Sequence, residues 1–243
     1  MSTDKPAVRS NSSDTEACCN HLQQKFNQKA PNLVWVSDIT YIKAGGIWYY
    51  LCIVMDLFSR KVISWHISSK ANVELVITAF KKAYEKRNAP YGLMFHSDRG
   101  SQYTAFTFRR LLDSLNVVQS FSKKGYPFDN ACCECFFKYL KKEETNRKCY
   151  RSLTELQLSV FEYIEGYYNT KRPLGTLNML TPNEAEALYW EQTKYPAPPK
   201  KIVLFCVYLL DYSSAVALFS LAFLFTKHEL FASFQDISQL SKH

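Results

Sequence analysis

Three things are missing from this chain of 243 residues, and each absence closes off a class of protein. The opening stretch MSTDKPAVRSNSSDTEACCNH has no apolar segment behind a basic start, so no secretory leader is expected. Eight cysteines are present, including the close sets Cys18, Cys19 and Cys132, Cys133, Cys135, but no two C-x-x-C elements stand at zinc-ligand spacing. They read as free thiols of a reducing, cytoplasmic compartment rather than as a disulfide or zinc framework. No internal repeat is found, which excludes solenoids and propellers. Acids are also in deficit, with 22 Asp and Glu against 30 Lys and Arg, a formal charge of +8 that favours a polyanionic partner such as nucleic acid.

What is present is apolar and aromatic. At 47% hydrophobic and 15% aromatic the chain can bury one substantial core. Residues 1–31 are polar and read as a flexible arm. From Leu33 the texture changes to LVWVSDITYIKA, IWYYLCIVMDLF and KVISWHIS, dense in β-branched and aromatic residues. Gly45-Gly46 and Ser59-Arg60 fit the turns between them, so three antiparallel strands are expected.

Val73, Val76, Ile77, Phe80 and Tyr84 then recur at helical spacing behind Asn72, a suitable cap, and Pro90 ends that helix. A short strand in YGLMFHSD, a helix over 105–115, a strand in VVQSFS and helices over 129–145 and 153–168 complete the pattern. This order predicts an α/β fold, a mixed sheet flanked by helices. A polar, Pro-punctuated connection with a short helix near Pro182–Glu191 follows. The expected division is an arm at 1–31, a core at 32–191 and a hydrophobic tail at 192–243.

Three carboxylates stand where chemistry would need them. Asp38 interrupts an apolar strand, where an unpaired charge is costly. Asp98 follows the strand LMF at its carboxyl end, the edge at which open sheets present ligand groups. Glu134 lies in a helix that Phe136 and Phe137 would dock on the core. Carboxylates from separate elements that meet in space can hold two divalent ions about 3.5 to 4 Å apart for phosphoryl transfer. Any one of these acids by itself reads as a solvated or capping carboxylate.

Taken together, the blocks around them resemble the retroviral-integrase-like catalytic core of bacterial insertion-sequence transposases. The blocks are Trp35-Val-Ser-Asp38-Ile-Thr-Tyr41, Met55-Asp-Leu-Phe-Ser-Arg-Lys61, His96-Ser-Asp98-Arg-Gly-Ser-Gln-Tyr103, and Asp129-Asn-Ala-Cys-Cys-Glu134 running on to Glu143. Between Asp98 and Glu134 stand 35 residues, the spacing in the family's D,D(35)E designation. The resemblance, from about Pro31 to Trp190, implies a ribonuclease-H-like fold, with Asp38, Asp98 and Glu134 as catalytic residues and ligands of two Mg²⁺ or Mn²⁺ ions. It implies DNA cleavage and strand transfer on insertion-sequence ends, self-association on DNA and a separate helix-turn-helix partner protein. Asp56 falls in a block too, but reads as a structural group at a strand end.

Basic residues nearby are candidate DNA contacts: Arg99, Lys123 and Lys124, then Lys138, Lys141 and Lys142, which share a helical face with Glu134. Tyr126 reads either as a base-stacking ring or as core. Tyr168-Asn-Thr-Lys-Arg172-Pro173 resembles the family's Y-N-x-x-R-P-H block, which adds Arg172 as a DNA contact but puts Leu174 where the family usually has His. The competing reading is an impaired, truncated or frameshifted remnant that only binds DNA; a plain ribonuclease is a third. The apolar run 202–225 could span a bilayer by length, but Asp211 opposes it. A sequence produced by frameshift or readthrough is the favoured account.

Overall fold

The computed structural model describes residues 18–88, 90–123 and 127–194. Lys124 and Tyr126, residues 1–17 of the expected arm and the tail from 195 onward lie outside the described residues. Among the described residues no helix is long and apolar enough to cross a membrane.

Five strands form one sheet in the order β3-β2-β1-β4-β5. They are β1 (Val34–Ala44), β2 (Ile47–Asp56), β3 (Val62–Ser68), β4 (Met94–Ser97) and β5 (Val118–Phe121). The first three pair antiparallel, and β4 and β5 add in parallel. Gly45 and Gly46, at φ +55 and +80, make the two-residue turn with positive φ at both positions that matches strand twist. At the next turn Asp56 accepts the amide of Phe58 at 2.8 Å and that of Asn32 at 2.7 Å. It is fully buried, in the structural role expected of it.

Alternation along the strands divides the core in two. One face carries Val34, Val36, Ile42 and Ala44 against α4 (Ala131–Glu143) and α5 (Leu153–Phe161), which continues as a π-helical turn over Glu162–Tyr168. The other carries Trp35, Cys52 and Val54 against α1 (Val73–Lys86), the single turn α2 (Ser101–Thr104) and α3 (Phe106–Ser114). Phe80 of α1 is the hinge of an aromatic cluster, edge-on to Phe95 at 5.4 Å and Phe108 at 5.9 Å. Asn72 caps α1 as expected, accepting from the Leu75 amide at 3.3 Å.

The last helix, α6 (Pro182–Lys194), starts in a capping box. The Glu184 amide donates to Thr181 Oγ1 at 3.2 Å, and the Thr181 amide donates to Glu184 Oε2 at 2.8 Å. Its Glu186 is buried beneath Arg87, Lys61 and Ser59, at 2.6, 3.4 and 2.8 Å.

Residues 18–31 correct the expectation of a flexible arm. Leu22 is buried in the core, the Cys19 carbonyl accepts from the Phe121 amide at 2.9 Å, and Arg60 reaches the Phe26 carbonyl at 3.2 Å. The segment is polar because its role is hydrogen bonding along the sheet edge.

Candidate active site

The strand register brings the first two acids together. Val34, Trp35 and Val36 of β1 lie opposite Met94, Phe95 and His96 of β4. Asp38 lies two residues beyond Val36 on β1 and Asp98 two beyond His96, just past the end of β4 where the pairing stops. Both line one shallow concavity with Thr40, Gln102 and Tyr103. Gly100 belongs at this turn, because a Cβ there would lie 3.1 Å from Asp98 Oδ1, which already accepts the Gly100 amide at 3.0 Å.

The third acid arrives on α4. Asn130, just before the helix, donates from Nδ2 to the Ser37 carbonyl at 3.3 Å, tying the start of α4 to the residue next to Asp38. Phe136, Phe137 and Leu140 bury one side of the helix, while Glu134 is exposed on the other. Burial chiefly, with the charges of Asp98 and Glu134 added, pushes the Asp38 carboxyl up to about 7; the Ile39 amide and Lys141 act against the rise. Three negative charges thus converge on a half-buried strand position, although among the described residues no group of three His, Cys, Asp or Glu is close enough to share one metal ion. The acids fit a cation by charge and donor type, since each added positive charge would relieve the carboxylate that burial penalises.

Beneath the acids lies a polar floor that sequence reasoning missed. Ser37 Oγ donates to the Ile53 carbonyl at 2.7 Å and so accepts from the buried Tyr103 hydroxyl at 2.9 Å. Both residues stand in the family blocks, and an alternating strand with Ser on its buried face was the available signal.

Behind it, His96 joins four segments. Its Nε2 meets the Asp129 carbonyl at 3.1 Å, and a carbonyl only accepts, so the proton sits there. Nδ1 then accepts from Ser120 Oγ at 2.9 Å, and that oxygen accepts the amides of His21 and Leu22 at 2.9 and 3.1 Å. Burial lowers the His96 pKa to about 4, against the opposing influence of Asp129, which keeps the ring neutral. The Asp129 carboxylate receives Gln24 Nε2 at 2.7 Å, Asn20 Nδ2 at 2.8 Å and the Lys123 amide at 2.8 Å. Burial alone would raise its pKa; these donors, led by the Lys123 amide, bring it below the usual carboxylate value.

Of the expected DNA contacts, Lys138 and Lys142 are exposed on the face of α4 that carries Glu134, and Lys141 is half-buried with its Nζ 5.0 Å from the Tyr41 ring. Arg99 is exposed near Asp98 but donates to the carbonyls of Ser122 and Cys18 at 3.0 and 3.1 Å. Lys123 is exposed in the loop before α4. Arg172 is a correction. It turns inward, its Nη2 2.8 Å from Glu143 Oε1, its Nε at 3.1 to 3.2 Å from the two oxygens of that carboxylate, and its guanidinium 3.7 Å from the centre of the Tyr139 ring. A fork so engaged staples the end of α4. Leu174, in the place of the family's usual His, is buried in the core.

The integrase core domain family matches residues 28–127, and a second integrase core domain family matches 134–187. Together they cover β1, β4 with Asp98 after it, and α4 from Glu134 onward. The chain belongs to the integrase core domain family. It is 40% identical over 167 residues to the transposase for insertion sequence element IS904 of Lactococcus lactis, covering 69% of this chain and 66% of that protein. It is 37% identical to transposase InsF for insertion sequence IS3fB of Escherichia coli, covering 69% of this chain and 58% of that one. The integrase core chain thus spans about three fifths to two thirds of the length of these curated relatives. Among solved structures, a chain of the simian T-cell lymphotropic virus intasome in complex with the PP2A regulatory subunit B56 gamma superposes with a TM-score of 0.52 at 19% identity. The match covers 75% of this chain and 61% of that one, and it shares the fold, a ribonuclease-H-like mixed sheet.

Proposed function

We propose that this chain is the catalytic core of an insertion-sequence transposase, a polynucleotidyl transferase that cleaves DNA at the element's ends and joins them to target DNA. The observation that carries the reading is the convergence of Asp38, Asp98 and Glu134, two by strand register and the third through α4. Two Mg²⁺ or Mn²⁺ ions bound there would activate a water or a 3′-hydroxyl for in-line attack and stabilise the leaving oxygen. Asp38 and Asp98 form the fixed part of the holding set, on a strand and its adjoining turn. Glu134, exposed at the end of a longer side chain, supplies the adjustable part.

No covalent bond to the protein is required; the chain positions groups and neutralises charge. Lys138, Lys141 and Lys142 lie on the DNA side of α4, and Arg99 and Lys123 flank the acids. The whole protein acts on insertion-sequence ends and target DNA in the cytoplasm, self-associates on DNA and relies on a separate helix-turn-helix protein for end recognition. The named transposases that share its core support action on an insertion sequence.

The test is strand transfer on a duplex carrying element ends, with Mg²⁺ or Mn²⁺. Wild-type protein should join strands only with metal present, and Asp98→Asn and Glu134→Gln should each fall to background. Joining that persists in either variant would sink the proposal.

A further inference from the structure

Beyond the acids, the tip of the β1–β2 hairpin carries a feature that catalysis does not use. Tyr41 and Trp48 are 57% and 51% exposed and meet edge to face at 5.2 Å. β3 pairs with β2 only from Tyr50 onward, so Ile47 to Tyr49, still paired with β1, project past β3. Beneath them runs a cavity of about 450 Å³ between the hairpin and the end of α4, lined by Lys43 and Lys141 and by Lys148, whose ammonium is already paired with Glu144 at 2.5 Å. Lys43 stands 5.8 Å from the Trp48 ring and Lys141 5.0 Å from the Tyr41 ring. Tyr41 lines this cavity and also the concavity that holds Asp38 and Asp98, so the two adjoin at that ring.

The tip is held in place. The Gly45 amide donates to the Tyr150 carbonyl at 2.8 Å, and a Cβ at Gly45 would meet the Arg151 carbonyl oxygen at 2.8 Å. Exposed aromatic faces on a fixed support, beside the ammonium groups of Lys43 and Lys141, match a nucleotide by shape and charge: the rings take the base and these two lysines the phosphates. A base inside a duplex is already stacked on both faces and cannot use the rings.

We propose that Trp48 and Tyr41, with Lys43 and Lys141, form a subsite for an unpaired nucleotide of the DNA strand that enters the acidic centre. The inference rests on the reading of that centre as acting on DNA, so it is tested by binding without metal, where no chemistry occurs. The full chain in EDTA is titrated with one duplex in two forms, blunt and with a three-nucleotide single-stranded flap carrying 2-aminopurine. Wild-type protein should bind the flapped form about tenfold more tightly and quench its fluorescence. Trp48→Ala should remove the preference while leaving the blunt duplex unaffected, Trp48→Phe should restore most of it, and Asp98→Asn should keep it.

Equal affinity of the wild type for both forms overturns the subsite, as does a preference that survives Trp48→Ala. So does a loss in Trp48→Ala that the blunt duplex shares equally. A flap preference without strand transfer would instead refute only the catalytic reading, and strand transfer without the preference only the subsite.

Discussion

Asp129 accepts three hydrogen bonds through one buried carboxylate, two from residues 18–31 and one from the loop before α4. Replacing it by Ala removes all three and strands the Lys123 amide in a part-buried position. Hydrogen bonds to a charged group contribute about 1.5 to 3 kcal/mol each at best, and losses within one network fall short of additive, so a cost of about 3 kcal/mol is expected. At roughly 2 to 4 °C per kcal/mol for a domain of this size, Tm should drop by about 6 to 12 °C. Asp129→Asn keeps the shape, and Gln24 can rotate its amide to meet the new donor, so about half the loss is expected. The folded-state pKa of Asp129 is depressed, so its contribution is present above the ordinary carboxylate pKa and disappears as pH falls through the folded value. Urea titrations of wild type and Asp129→Ala at pH 7 and at successively lower pH should therefore converge in acid. Their midpoints should shift with an unchanged slope. A midpoint shift under 0.5 kcal/mol at pH 7, or a gap that widens in acid, would refute the bracing role.

Arg172→Ala should destabilise by about 2 kcal/mol through loss of the Glu143 pair, with the same cost for Glu143→Ala and little more for the double variant. DNA affinity at fixed salt should be unchanged in Arg172→Ala, and a drop equal to that of Lys138→Ala would return Arg172 to the DNA surface. Phe80→Ala, at the centre of the aromatic cluster, should cost about 3 to 5 kcal/mol by denaturant unfolding. A cost under 1 kcal/mol would show that the cluster is not tightly packed.

The elements legible in the sequence were those with a local period. The Gly45-Gly46 turn, the Asn72 cap and the apolar spacing of Val76 and Phe80 depend on neighbours a few residues away, and the structure places them where the pattern does. What local pattern misses is a polar group whose partner is distant in sequence. Asn20 and Gln24 read as part of a solvated arm, yet they meet Asp129 more than a hundred residues later. Arg172 reads as a cation for phosphate, yet its acid is Glu143, 29 positions earlier. Asn169 of the Y-N block closes on both backbone groups of Val62, donating at 3.0 Å and accepting at 3.1 Å, a role that composition cannot announce. The acids themselves were located through the family blocks; register then accounts for why Asp38 and Asp98 adjoin.

Asp38 sits on β1 and Asp98 follows directly on β4, so the third part of the site, Glu134, depends on the placement of α4. Three separate contacts constrain it. Asn130 ties its start to Ser37, Phe136 and Phe137 set its rotation against the core, and Arg172 holds its far end through Glu143. Residues 18–31 act on the same helix at one remove, through Asp129 at its threshold and the His96 relay behind Asp98. Burial of Asp38 among like charges is unfavourable in isolation, and a helix free to drift would carry Glu134 away from it. The density of side-chain braces on α4, against the plain backbone pairing of β1 with β4, follows from that repulsion. Asp129, Asn130 and Glu134 of the fourth family block are therefore distributed between holding a ligand and holding the helix that presents it.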